Sequence, residues 1–217
     1  SLAVAGIVTL VTVITAYPVA YYLSFHAGNQ RRLILFLVTL PFWTSYLLRV
    51  FAWKIVLAFN GVLNSALLGL GILHEPTSLF INTPYAVVLT LAHAYAPFAI
   101  LPILVSLDVI PRSLLEAAAD LGAKPFTTLW RVTIPNSMPG ILAGAVVVFV
   151  PTVGDYVTPA LVGGPESTMI GSLIQAQFGK AQDWPFGSAL AVLVMATILI
   201  VMLLARRANA KWTIAQP

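Results

Sequence analysis

Five apolar runs, each long enough to cross a bilayer, limit what this chain can become. They lie at residues 2–25, 33–57, 84–107, 137–160 and 185–205. At about 1.5 Å per residue, each covers the ~30 Å hydrocarbon core as a helix. None shows the alternation and tight turns of a barrel strand, so helices are expected. Of the 217 residues, 59% are hydrophobic and 8% are charged, against about 25% charged in a soluble domain. Such a surface must meet lipid or other apolar protein. The expected fold class is all-α, a polytopic membrane protein whose residues 1–217 form one transmembrane domain. The absence of cysteine excludes disulfides, thiolate chemistry and cysteine-ligated metals. Prolines at 18, 41, 97, 102, 139 and 151 predict kinks whose freed backbone groups neighbouring helices must satisfy.

The net charge of +4 is localised rather than spread. Arg31 and Arg32 follow the first run. Arg112, Lys124 and Arg131 lie between the third and fourth, and Arg206, Arg207 and Lys211 follow the fifth. Residues 58–83 contain no Lys or Arg, and residues 161–184 contain only Lys180. The positive-inside rule puts the three basic regions in the cytoplasm. The excess therefore marks loops and not a nucleic-acid surface. Residue 1 then falls outside. It opens directly on an apolar run with no Met and none of the removable flank of a signal peptide. At least one further N-terminal span is expected ahead of it, which would return the N-terminus to the cytoplasm. Two milder helical stretches, 62–73 and 167–178, are too short to span and are expected to lie along the outer interface or dip partly in.

The cytoplasmic loop at about 108–135 holds the longest polar stretch, SLLEAAADLGAKPFTTLWRVTIP. Ser113 and Glu116 have the spacing of a capping box, which predicts a helix through residues 114–121. Gly122 sits where a left-handed residue would stop that helix. Pro125 suits the first turn of a second short helix, and Pro135 is expected to end it near Thr133. Arg112, Glu116, Asp120 and Lys124 recur every four residues; Leu114, Leu115, Ala118 and Leu121 fall largely on the other side. Two readings fit. One is a solvated face laced with i,i+4 ion pairs of about 0.2–0.5 kcal/mol each. The other is a helix whose small residues, Ala117 to Ala119, allow close approach to a partner's groove.

Glu116-Ala117-Ala118, Gly122, Val132, Ile134 and Pro135 match the EAA-x3-G-x9-I-x-L-P pattern, with two conservative apolar exchanges. In this the chain resembles the permeases of binding-protein-dependent ABC importers. The likeness extends over most of the chain, and LPFWTSYLLRVFAW, SLLEAAADLGA and PTVGDYVTPALVGG are similar to the spermidine/putrescine branch. The resemblance implies a type I ABC importer permease fold in a bacterial inner membrane. It implies a coupling helix in which Glu116, Ala117, Ala118, Asp120, Gly122 and Pro135 meet a cytoplasmic ATPase subunit. It also implies the partners: a second permease, identical or homologous, two ATPase subunits and an extracytoplasmic solute-binding protein. The chain has no G-x4-G-K-[ST] loop. ATP and Mg2+ are therefore expected in the ATPase subunits, with no cofactor, metal or catalytic residue here. The implied solute is a polyamine or related small cation. Amino-acid derivatives, thiamine and iron are alternatives among related permeases, and an ion-driven carrier or a membrane anchor subunit stands further off.

Charge within a span costs about 2.5–3.5 kcal/mol at a helix centre and points to function. Asp155, between Gly154 and Tyr156, reads either as a capping or turn carboxylate or as a site for an ammonium group. In the second case Tyr156, Trp43, Tyr46 and Trp53 would supply aromatic faces. Arg49 shares a helical face with Phe42, Tyr46 and Trp53. It reads as a partner of a carboxylate or of backbone carbonyls; in the path itself it would repel a cation. Lys54 can snorkel. His93 is the one histidine inside a run and is expected to be a buried imidazole bonded to a neighbouring helix. Glu75, Glu166 and Asp183 are candidate contacts for the binding protein, or simply solvated loop residues.

Overall fold

The computed structural model describes the backbone of residues 1–213 and the side chains through Leu203; the side chains of Arg206, Arg207 and Lys211 lie outside the described residues. Among the described residues every regular element is helical. α1 (Leu2–Phe25), α5 (Pro84–Asp108) and α8 (Ile134–Val153) pack together as the core. Small residues make this possible. Val8, Ala16 and Ala20 of α1 meet Leu91, Ala99, Ile103 and Leu107 of α5 and Val148 of α8, all buried. Gly140 sits so close to α5 that an added Cβ would lie 2.3 Å from Ser106 Cβ and 2.5 Å from the Pro102 carbonyl. A Cβ added at Gly144, one turn on, would lie 3.2 Å from the Ala99 carbonyl. Apolar helices gain little from hiding from lipid, so such close backbone approach is what holds them together. The Tyr17 hydroxyl and Ser137 Oγ, 3.1 Å apart, tie α1 to α8.

Two of the five expected spans are broken. Residues 33–57 are not one helix. α2 (Arg31–Thr39) runs into a 3-10 turn, Leu40–Trp43, and Thr44 and Ser45 are extended before α3 (Tyr46–Leu57) begins. Pro41 lacks the donor an α-helix needs here and Thr44 donates instead to the Pro41 carbonyl at 3.3 Å. With α4 (Val62–Gly69) after a short turn, the stretch Tyr46–Gly69 is the long apolar segment in this part of the chain. Its corner is held by buried Asn64, which donates to the Thr77 carbonyl at 2.8 Å and accepts from Thr77 N at 3.2 Å. Likewise 137–160 is interrupted: α8 ends at Val153, and α9 (Val157–Val162) starts after Gly154, Asp155 and Tyr156.

The polar loop between α5 and α8 also departs from expectation at both ends. α6 (Arg112–Asp120) begins directly after extended Pro111, so Ser113 falls inside the first turn and the Ser113–Glu116 capping box does not form. α7 (Pro125–Thr128) opens at Pro125 as expected, but Pro135 does not end it. A π-turn, Leu129–Thr133, carries the chain into α8 with Pro135 in its first turn, where a missing N–H is tolerated. Asn136 Nδ2 donates back to the Val132 carbonyl at 2.7 Å. On the opposite side, α10 (Ile170–Ala176) leads through a second π-turn toward α11 (Trp184–Thr213), whose flank from Val192 to Leu203 is largely exposed.

Candidate functional site

The basic end of the molecule displays α6. A Schellman motif closes it: Gly122 N donates to the Ala119 carbonyl at 2.8 Å and Ala123 N to the Ala118 carbonyl at 3.0 Å. Gly122 has φ +78°, a left-handed value that glycine adopts without strain. Leu115 and Ala118 turn inward, while Glu116, Ala117, Asp120 and Gly122 are exposed. Leu114 and Leu121, read as lying largely on the side away from the charged residues, are exposed too, Leu121 to 89%. Phe126 and Trp130 stand out beside them as a ring pair 6.1 Å apart. No i,i+4 ion pair closes on α6; among the described residues the one ion pair joins Arg31 to Asp108. An exposed apolar tip on a rigidly terminated helix suits a docking element better than a solvated charged face. Pro135 lies beyond this display, within α8.

The second constellation is built by the two broken spans. The interruption after Gly154 leaves Asp155 only 7% exposed, its Oδ1 accepting from Val157 N at 3.0 Å and its Oδ2 from the Tyr46 hydroxyl at 2.8 Å. That hydroxyl also lies 2.6 Å from Thr158 Oγ1. The carboxylate thus starts α9 and fastens it to the first turn of α3. Gly171 lets α10 close over it: a Cβ there would sit 2.4 Å from the Gly154 carbonyl. Arg49 is spent elsewhere. Its Nη1 donates to the Ala94 carbonyl of α5 at 2.9 Å, and its Nη2 to the Pro41 carbonyl and to Thr44 Oγ1 at 3.3 Å. Arg49 is therefore the clip of backbone carbonyls foreseen as one option, and it anchors the unwound segment. Among the described residues, Asp155 has no cationic partner.

The other expected aromatic residues divide. Tyr156 is half exposed beside Asp155, and Trp43 is 86% exposed at the break. Trp53 is tied instead to His93, donating from Nε1 to Nδ1 at 3.0 Å. His93 does bond a neighbouring helix, but it is exposed and not buried. Two rings of the constellation, Tyr95 and Phe98, escaped the sequence reading; their i,i+3 spacing on α5, one face of a helix, was the available signal.

A model of the binding-protein-dependent transport system inner membrane component matches residues 9–214. The chain belongs to that family. Among its relatives, the spermidine/putrescine transport system permease protein PotB of Escherichia coli K12 is 40% identical over 204 residues, covering 93% of this chain and 74% of the relative. The protein of the same name from Haemophilus influenzae is 38% identical over 209 residues, covering 96% and 73%. The fold is shared with a solved methionine ABC transporter, MetNI, in an inward-facing conformation (TM-score 0.70, 19% identity, 97% of this chain and 92% of that one). It is shared as well with a bacterial alginate ABC transporter solved in complex with a pentasaccharide-bound periplasmic protein (TM-score 0.72, 18% identity, 97% and 76%). The family member described here is the permease component of an ABC importer, a multi-pass inner membrane protein.

Proposed function

We propose that this permease imports polyamines, with α6 as the helix that an ATPase subunit grips and Asp155 as the carboxylate that meets the solute's ammonium group. One observation carries the solute reading: a carboxylate buried between two broken spans with no cation among the described residues to balance it. A buried charge normally needs a partner, and removing one leaves a large desolvation cost. A passing ammonium group would supply it with a charge-assisted hydrogen bond. An ionised carboxylate offers about four lone-pair sites, and two are taken here by Tyr46 and Val157. The names of the relatives support the same solute class. Arg49 keeps its charge, since its terminal nitrogens donate to neutral oxygens, and it stands against a cation passing close to it; those bonds fix it at the break in the second span.

The remaining parts follow from the family. ATP and Mg2+ sit in two ATPase subunits, a second permease completes the pathway and a solute-binding protein delivers to the outer side. Closure of the ATPase subunits pulls α6, and because α6 is capped as a rigid unit the displacement passes to α5 and α8. The test is spermidine uptake by the complete importer in proteoliposomes. Asp155→Asn should stop uptake with the assembly intact. Glu116→Gln, which removes a charge from the exposed face of α6, and Gly122→Ala, which puts a non-glycine residue at positive φ at a cost of about 1–2 kcal/mol, should each lower uptake by an order of magnitude or more. Uptake unchanged in Asp155→Asn would reject the solute reading; uptake unchanged in both loop variants would reject the docking role.

A further inference from the structure

We infer that four rings, Phe42, Phe98, Tyr95 and Tyr46, form a bed for the alkyl part of the solute, running from the break in the second span to Asp155. The inference rests on the polyamine reading and names the part of the site that measures the solute's length. The rings come from three separate elements yet touch in sequence. Phe42 and Phe98 have centroids 4.5 Å apart, Phe98 and Tyr95 6.0 Å, and Tyr95 and Tyr46 6.2 Å. The last ring ends in the hydroxyl that donates to Asp155 Oδ2. At the far end Phe42 is 42% exposed on the unwound segment, so the row is open there.

Each feature of this row suits one chemistry. Ring faces carry negative quadrupole charge and pack well against methylene groups, and an ammonium within about 6 Å of a ring centroid is attracted to it. A single carboxylate at one end fixes one ammonium, and the rings then receive the alkyl spacer and the next cation. The ligand class is a linear alkane bearing ammonium groups at separated positions. A compact cation would use the carboxylate and leave the bed empty, and an anion would meet both negative faces and a carboxylate. The clip at Arg49 explains how the row survives a broken helix. By joining the Pro41 carbonyl to the Ala94 carbonyl, it holds the segment carrying Phe42 against the α5 face that carries Tyr95 and Phe98.

The experiment compares Phe98→Leu and Tyr95→Leu with the unaltered chain in the complete importer, after gel filtration has shown that each assembles with its partner subunits. Uptake of labelled spermidine is measured alone and in competition with diaminoalkanes of increasing length and with monoaminoalkanes. Loss of one cation–π contact predicts a fall of about three- to thirtyfold in spermidine uptake. It also predicts a flatter dependence on chain length. Unchanged uptake and unchanged length dependence in both variants, with Asp155→Asn still blocking transport, would overturn the bed and leave the polyamine reading standing. An unaltered importer that carries no polyamine would overturn both. Should the leucine variants fail to assemble, Phe98→Tyr and Tyr95→Phe keep the ring faces and must keep the length dependence; its loss in them overturns the bed.

Discussion

Single residues in this chain act chiefly by what they leave out. Gly140 omits a Cβ that would otherwise lie 2.3 Å from Ser106 Cβ, with backbone close behind it, whereas Gly144 leaves 3.2 Å to the nearest atom. Gly140→Ala must therefore push α5 and α8 apart, and an overpacked helix contact costs about 1–3 kcal/mol. Gly144→Ala needs only a few tenths of an ångström of relaxation. Thermal melting of the detergent-solubilised importer should show a clear drop for the first and a smaller one for the second; equal effects would contradict the packing described. The same scale shows what a sequence can disclose. Gly122 was legible because a stop to a polar helix needs a left-handed residue, and one glycine stood at the right place. The Gly140-x3-Gly144 pair was equally open to reading as a helix contact. Ser113 misled because its spacing to Glu116 fits a cap, while the helix starts after Pro111, two residues too early for that cap to form.

At the scale of elements, the apolar runs located the membrane segments but hid their interruptions. Hydropathy averages over a window and is blind to a two-residue unwinding. Pro41 and Pro151 were visible as kink sites, yet whether a proline bends, breaks or merely opens a helix depends on what satisfies the backbone nearby. At Pro135 a π-turn and Asn136 keep the helix going, and at Pro41 Arg49 supports a full break. The guanidinium fork suits this task since it reaches oxygens in two directions at once. Arg49→Lys keeps the charge but can serve one carbonyl well, leaving another unpaired in an apolar setting. The expected loss is about 1–3 kcal/mol of stability, read as a lower melting temperature in detergent, with Arg49→Ala at least as severe. A melting temperature unchanged in Arg49→Lys would show that charge alone, and not the fork, holds the break.

Across the whole molecule, the question the proposed docking role raises is how a pull on α6 would reach the spans. α6 follows α5 after only Val109, Ile110 and Pro111. The last residue of α5, Asp108, accepts from Ser24 Oγ of α1 at 2.8 Å on Oδ1 and from Arg31 Nη2, at the start of α2, on Oδ2. One carboxylate thus joins α1, α2 and α5 at the end of α5 that leads into α6. Both charged partners are partly exposed, 39% and 31%, so the pair adds at most about 1 kcal/mol to stability. Its consequence is mechanical: α1 and α5 already move together through their packed core, and the latch adds α2 to them, so that with it open α2 is released from the pair. Asp108→Asn and Arg31→Gln should leave melting almost unchanged and raise the ATP hydrolysed per solute imported. The exchange Arg31→Asp with Asp108→Arg should bring the ratio back toward that of the unaltered chain. A ratio unaffected in both single variants would mean that the pull travels through the α5–α8 contact without the latch.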